Sequence, residues 1–137
     1  MSEKNPVAIA TSGNITENFW WHEARCNHCG GLPDNLESII KTARFMEEVR
    51  EYLGNQPMKV NSWYRCPEWN TTVGGASDSY HMKGQAVDFT IKTMTPRQVQ
   101  AKLRKIWGAS GIVKGLGAYK GFTHVDRRAG TPAKWNG

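Results

Sequence analysis

His81 and Asp88 stand on either side of Gly84, and His124 follows further along the chain. Imidazole and carboxylate are the groups by which hydrolases hold zinc, typically three from the protein with a fourth position kept for the water that becomes the nucleophile. A loop passing into a strand across Gly84 folds the first two side chains toward one point, and His124 completes a set of three. Taken singly, each histidine is better read as an ordinary polar residue. A second group is formed by Cys26 and Cys29, spaced as half a zinc knuckle, together with Cys66. With His22 or His28 they supply enough donors for a closed four-ligand site. Buried thiols packing as small hydrophobes are the preferred reading of these three cysteines.

The elements that must position these residues follow from apolar spacing. Leu36, Ile39, Ile40, Ala43, Met46, Val49 and Leu53 recur at helical intervals, with Asp34 as the expected cap, Glu37 three residues on and Gly54 as the stop. Met58 to Trp63 reads as a strand, and Pro67 opens a short helix to about Val73 that Gly74-Gly75 breaks. Ala76 to Gly84 reads as a loop and Gln85 to Ile91 as a strand. Thr95-Pro96 starts a third helix with Val99, Leu103, Ile106 and Trp107 on one face. Ile112 to Tyr119 and Phe122 to Arg127 form a hairpin across Lys120-Gly121, which points His124 and Asp126 the same way. Residues 1–15 show no period and are expected to be a loose N-terminal arm, while Phe19-Trp20-Trp21 should pack on the body. The expected fold is α+β, one domain over 1–137, with a central, mostly antiparallel sheet flanked by helices.

Ser79-Tyr80-His81-Met82-Lys83-Gly84-Gln85-Ala86-Val87-Asp88 resembles the SxHxxGxAxD signature of the M15 peptidases. That family includes zinc D-Ala-D-Ala carboxypeptidases and dipeptidases and phage L-alanyl-D-glutamate endolysins. Upstream, Asn61-Ser62-Trp63-Tyr64-Arg65 resembles the family's strand ending in SGYR; downstream, Phe122-Thr123-His124-Val125-Asp126 resembles its final HVD strand. The three blocks occur in the family's order and together span about half the chain. The resemblance implies a hedgehog-like, DD-peptidase-like fold and one catalytic Zn2+ held by His81, Asp88 and His124. It also implies that Arg65 meets a substrate carboxylate or the developing oxyanion. A planar, permanently charged fork of donors suits that task, and a surface salt bridge is the alternative. Ser79 either binds substrate or holds its loop. A further structural ion at Cys26, Cys29 and Cys66 stays open and is not favoured.

The proton-transfer group departs from the family. Many members carry a glutamate three residues before the last histidine, where this chain has Gly121, and others a histidine two before it, where it has Phe122. Asp126 is the nearest carboxylate, either as the base or as an orienter of His124; Asp78 and Glu23 stand behind it. The implied activity is zinc-dependent hydrolysis of peptidoglycan stem peptides, by D,D-carboxypeptidase or L-alanyl-D-glutamate endopeptidase cleavage, in the manner of a phage or prophage endolysin. The alternative is a non-catalytic, zinc-containing wall-binding module of the same fold, motivated by Gly121 and Phe122.

Composition narrows the partners. The 137 residues carry 18 Lys and Arg against 12 Asp and Glu, a formal charge of +6 that suits an anionic cell envelope. The basic residues are scattered, Arg127-Arg128 and Arg104-Lys105 being the densest pairs, and there is no second CxxC, so nucleic acid is not an expected partner. The chain opens Met1-Ser2-Glu3-Lys4-Asn5-Pro6 with no apolar segment after it, so neither a signal peptide nor membrane insertion is expected. The expectations are a monomer, synthesis in a reducing cytoplasm, and action at the bacterial wall after release through a holin.

Overall fold

A computed structural model describes residues 9–137. The chain first forms a small two-stranded ribbon, β1 (Asn14–Thr16) and β2 (Phe19–Trp20), and then a one-turn helix α1 (Trp21–Ala24). Of the arm expected to be loose, residues 1–8 lie outside the described part, and Asn14 and Ile15 belong to β1. Phe19 and Trp21 are buried in the core, whereas Trp20 faces out.

The periodic run becomes α2 (Leu36–Tyr52), which buries Ile39, Ala43, Met46 and Val49. Its cap differs from the expected one: Asn35, not Asp34, takes the N-cap position, and no side chain closes it. The long apolar stripe holds the helix by tertiary burial, so its start does not depend on a cap. β3 (Met58–Ser62) leads to α3 (Pro67–Thr72), where Pro67 occupies the first turn and the Cys66 sulfur accepts the Trp69 N–H. The segment read as a loop contains a turn of 3₁₀ helix, Tyr80–Lys83, closed by Gly84 in the left-handed conformation at φ +70°. A glycine reaches that conformation without strain. Space makes the same demand, because a Cβ there would lie 2.7 Å from Ile39 Cδ1.

β4 (Ala86–Ile91) follows, then α4 (Pro96–Leu103), whose Thr95 and Gln98 form a reciprocal capping box. A short 3₁₀ extension, Arg104–Ile106, ends that helix before Trp107, which pairs with Val113 in an isolated bridge. β5 (Gly115–Ala118) and β6 (Thr123–Asp126) form the expected hairpin. β7 (Ala133–Asn136) was not anticipated; it adds to β5 in parallel.

The sheet order is β3-β4-β6-β5-β7, antiparallel except for the last pair. Val87, Phe89, Leu116 and Val125 join the core formed with α2, α4 and Trp63. This is the expected α+β arrangement. Because strand side chains alternate, residues 86, 88, 124 and 126 face the other way, and that face carries the site.

Candidate metal centre

Asp88 and His124 are direct partners in the β4–β6 ladder, and Ala86 faces Asp126 one pleat further along. Cross-strand pairing alone brings the two side chains together. His81 is delivered by the 3₁₀ turn before β4. Ser79 caps that turn by accepting the His81 N–H at 3.2 Å, so its hydroxyl holds the loop. The turn is further fixed from beneath, where the Gly84 carbonyl accepts from Thr42 Oγ1 at 2.7 Å and from the Trp63 indole at 3.2 Å. Arg127 in turn donates to Thr42 Oγ1 and the Ser38 carbonyl. The backbone N–H of Arg65 also meets the His81 carbonyl at 3.1 Å, tying the first two sequence blocks together, as the β4–β6 ladder ties the second to the third.

Each ring is gripped on its far nitrogen. His81 Nδ1 lies 2.7 Å from the Trp63 carbonyl, and His124 Nε2 lies 2.9 Å from Asp126 Oδ2. A carbonyl only accepts, so His81 Nδ1 carries the proton. Asp126 is held down to about 2: burial pushes it up, but hydrogen bonds from Arg128 and His124 prevail. As an ionised acceptor it fixes the proton on His124 Nε2 in the same way. The remaining nitrogens, His81 Nε2 and His124 Nδ1, both point at Asp88 Oδ1, at 3.2 and 2.9 Å.

In neutral rings these two nitrogens are lone pairs, so three acceptors converge in a pocket that is almost closed to solvent. That arrangement is repulsive unless a cation lies among them. One ligand atom from each of His81, Asp88 and His124 falls within 4.8 Å of the other two, a spacing that suits metal bonds of about 2.0–2.2 Å. Two imidazoles and a carboxylate are a donor set suited to zinc. With protons as the only cations, burial drives the Asp88 carboxyl up, but hydrogen bonds from His124 and His81 hold it far below the usual carboxylate range. His124 shifts the opposite way: burial lowers it, but Asp126 and Asp88 raise it.

A cleft of about 600 Å³ opens over these residues, within the range of a small-molecule or short-peptide site. Arg65 lines it, with one guanidinium nitrogen 2.9 Å from Asn70 Oδ1 and another 3.9 Å from Asp88 Oδ2. Asp78 is the one other carboxylate among the lining residues, whereas Glu23 accepts the Trp20 N–H in the first turn of α1, away from the cleft. Asp126 is fully buried behind His124 and does not line the cleft. Both of its oxygens are occupied, by His124 and by the Arg128 side chain and backbone N–H.

Sequence reasoning missed several cleft residues. Arg128 stacks over Tyr80 at 4.3 Å while holding Asp126, so one side chain links the floor of the site to its wall. Trp135 of β7 lies 5.0 Å from the His124 ring and donates to the Tyr119 hydroxyl at 3.0 Å. Tyr119 and Phe122 stack at 4.5 Å across the hairpin turn. The adjacent Arg127-Arg128 pair was the one available signal; the wall is completed by Trp135 of β7, whose apolar alternation runs over only four residues. Of the cysteines expected to be buried packing groups, Cys26 is buried, whereas Cys29 is exposed and Cys66 half-buried, and all three sulfurs lie together.

An α+β domain with a cation-seeking triad on one sheet face defines a class of metal-binding protein. Comparison with known families specifies which one. The sequence model described as Peptidase M15 matches residues 16–126, most of the chain, and the protein belongs to that family. A stretch of 43 residues is 42% identical to a zinc D-Ala-D-Ala carboxypeptidase of Streptomyces albus G. The match covers 31% of this chain and 17% of that relative.

Proposed function

We propose that the protein is a zinc-dependent peptidase acting on the stem peptides of bacterial peptidoglycan, with His81, Asp88 and His124 as the metal ligands. The observation that carries this reading is the convergence of three acceptors on one point beneath a cleft lined by Arg65 and Arg128. Membership of the peptidase family and the likeness to a zinc D-Ala-D-Ala carboxypeptidase support the substrate class. Zinc bound there supplies a water acidified to a pKa of about 7 and a Lewis acid for the scissile carbonyl.

The chain's own residues do the rest. Arg65 presents donors to a substrate carboxylate or to charge growing on the carbonyl oxygen. Asp126 keeps the proton on Nε2 of His124, so that Nδ1 faces the centre, a positioning role for which its two occupied oxygens suit it better than proton transfer. Asp78, at the edge of the cleft, is then the carboxylate free to move a proton to the leaving amine. Tyr80, Tyr119, Phe122 and Trp135 form an aromatic wall that limits solvent at the reacting bond.

Both carboxypeptidase and endopeptidase cleavage fit this arrangement, since stem peptides carry free carboxylates within and at the end of the chain. The setting we propose is the bacterial wall, as for a phage-type lysin; the charge of +6 favours that anionic surface. Mass spectrometry of peptidoglycan fragments incubated with the zinc-loaded protein tests the reading. Loss of a terminal D-alanine, or cleavage between L-alanine and D-glutamate, abolished by chelator and by His81→Ala, is the expected result. Intact fragments from every wall type, with zinc still bound, would favour a non-catalytic wall-binding module, a reading that Gly121 and Phe122 motivate.

A further inference from the structure

Outside the cleft, the three cysteines form the other cluster of metal-ligating groups among the described residues. They come from two distant segments. Cys26 and Cys29 lie in a tight turn after α1, in which the Cys26 N–H meets the Gly31 carbonyl and the Gly30 N–H meets the Cys26 carbonyl, both at 2.9 Å. Cys66 caps α3. One sulfur from each lies within 4.8 Å of the other two, and no disulfide joins them.

Each sulfur is an acceptor. Cys66 N–H donates to Cys26 Sγ, Gly31 N–H to Cys29 Sγ and Trp69 N–H to Cys66 Sγ, all at 3.4 Å. Backbone N–H groups outweigh burial to favour the thiolate at Cys26, whereas the neighbouring sulfurs push the Cys66 thiol up. Three thiolates this close repel one another unless a cation binds them, and a soft divalent metal is the cation that thiolates select. The cluster therefore has the same logic as the triad in the cleft, with softer donors.

We infer that Cys26, Cys29 and Cys66 hold a structural zinc ion, distinct from any metal in the cleft, which fastens the turn after α1 to the start of α3. The protein supplies three ligands there; His28, in the same turn, stacks on Trp69 at 4.9 Å and is not one of the clustered groups. The side-chain amide of Asn27 already donates to the Asn61 carbonyl at 2.8 Å, and the Tyr64 N–H to the Ala24 carbonyl at 3.1 Å, so the ion completes an existing seam. Cys66 directly follows Arg65, and the same ion fixes the backbone from which Arg65 reaches the cleft.

This inference is independent of the proposed activity, and sulfur makes it separately observable, because the cleft site has no thiolate donor. Reduced, metal-stripped protein titrated with cobalt(II) should develop a thiolate-to-cobalt charge-transfer absorption, retained in His81→Ala and lost in Cys29→Ser. Zinc should also slow alkylation of the three cysteines in the wild-type protein by on the order of tenfold, since a metal-bound thiolate is withdrawn from attack; this readout does not depend on the folding of any variant. A cobalt protein without charge-transfer absorption, cysteines alkylated equally fast with and without zinc, or a disulfide formed within the cluster in the presence of zinc would each overturn the inference.

Discussion

Asp126 shows how much of the site is decided one residue away from the ligands. Its carboxylate is fully buried, yet it stays ionised because Arg128 and His124 both donate to it. Replacing it with asparagine keeps the shape but offers His124 Nε2 an amide that need not accept. We expect Asp126→Asn to weaken zinc binding about 10- to 100-fold, measured by competition with a chromophoric chelator, with little change in fold. Unchanged affinity would remove the positioning role. Asp78→Asn should instead leave zinc affinity unaltered and lower kcat roughly 100-fold or more, as loss of a proton-transfer group does. The triad itself was legible in the sequence, since His81, Asp88 and His124 fall in recognisable blocks. The hold on His81 was not, because it comes from the backbone carbonyl of Trp63, which no side-chain pattern reveals.

At the scale of elements, the sheet has room for Asp126 only because its ladder neighbours are Ala86 and Gly115. A Cβ at position 115 would stand 2.1 Å from the Asp126 carboxylate. Gly115→Ala should therefore destabilise the protein by about 1–3 kcal/mol and also disturb zinc affinity, whereas an ordinary core insertion would change only the first. Chemical denaturation and the same chelator competition distinguish the two. The ribbon of β1 and β2 is tied to α2 by Glu47, which accepts from Asn18 N–H and Nδ2, both at 2.8 Å. Burial raises the Glu47 carboxyl, but the Asn18 bonds outweigh it and leave it below its ordinary 4.5. A carboxylate depressed on folding adds stability above its ordinary value and loses it as pH falls through the folded one. Glu47→Gln should thus cost about 0.5–1 kcal/mol at neutral pH after solvent screening, a difference that vanishes in acid. Equal losses at both pH values would show that packing and not charge holds the ribbon. Helix α2 and the β5–β6 hairpin were legible because apolar period and turn residues agree there. β7 was not, because the alternation of Ala133-Lys134-Trp135-Asn136 is only four residues long and its partner β5 is reached by parallel pairing.

Across the whole molecule, two donor clusters and no disulfide stand among the described residues, and metal filling those clusters would supply part of the domain's stability. Zinc at a thousandfold excess over its dissociation constant adds about 4 kcal/mol at a single site, enough to move Tm by roughly 10 °C or more in a domain of this size. Calorimetry with and without chelator should show that shift. No helix among the described residues is long and apolar enough to cross a membrane. The general chemistry was legible from the chain because each ligand of the triad falls in a recognisable block, whereas the cleft's shape required the sheet to bring the C-terminal strand beside the triad. The most direct test of the metal centre is an anomalous difference map from zinc-loaded crystals. A peak bounded by His81 Nε2, Asp88 Oδ1 and His124 Nδ1 is the expected result; no peak there, with both rings still hydrogen-bonded to Asp88, would contradict it.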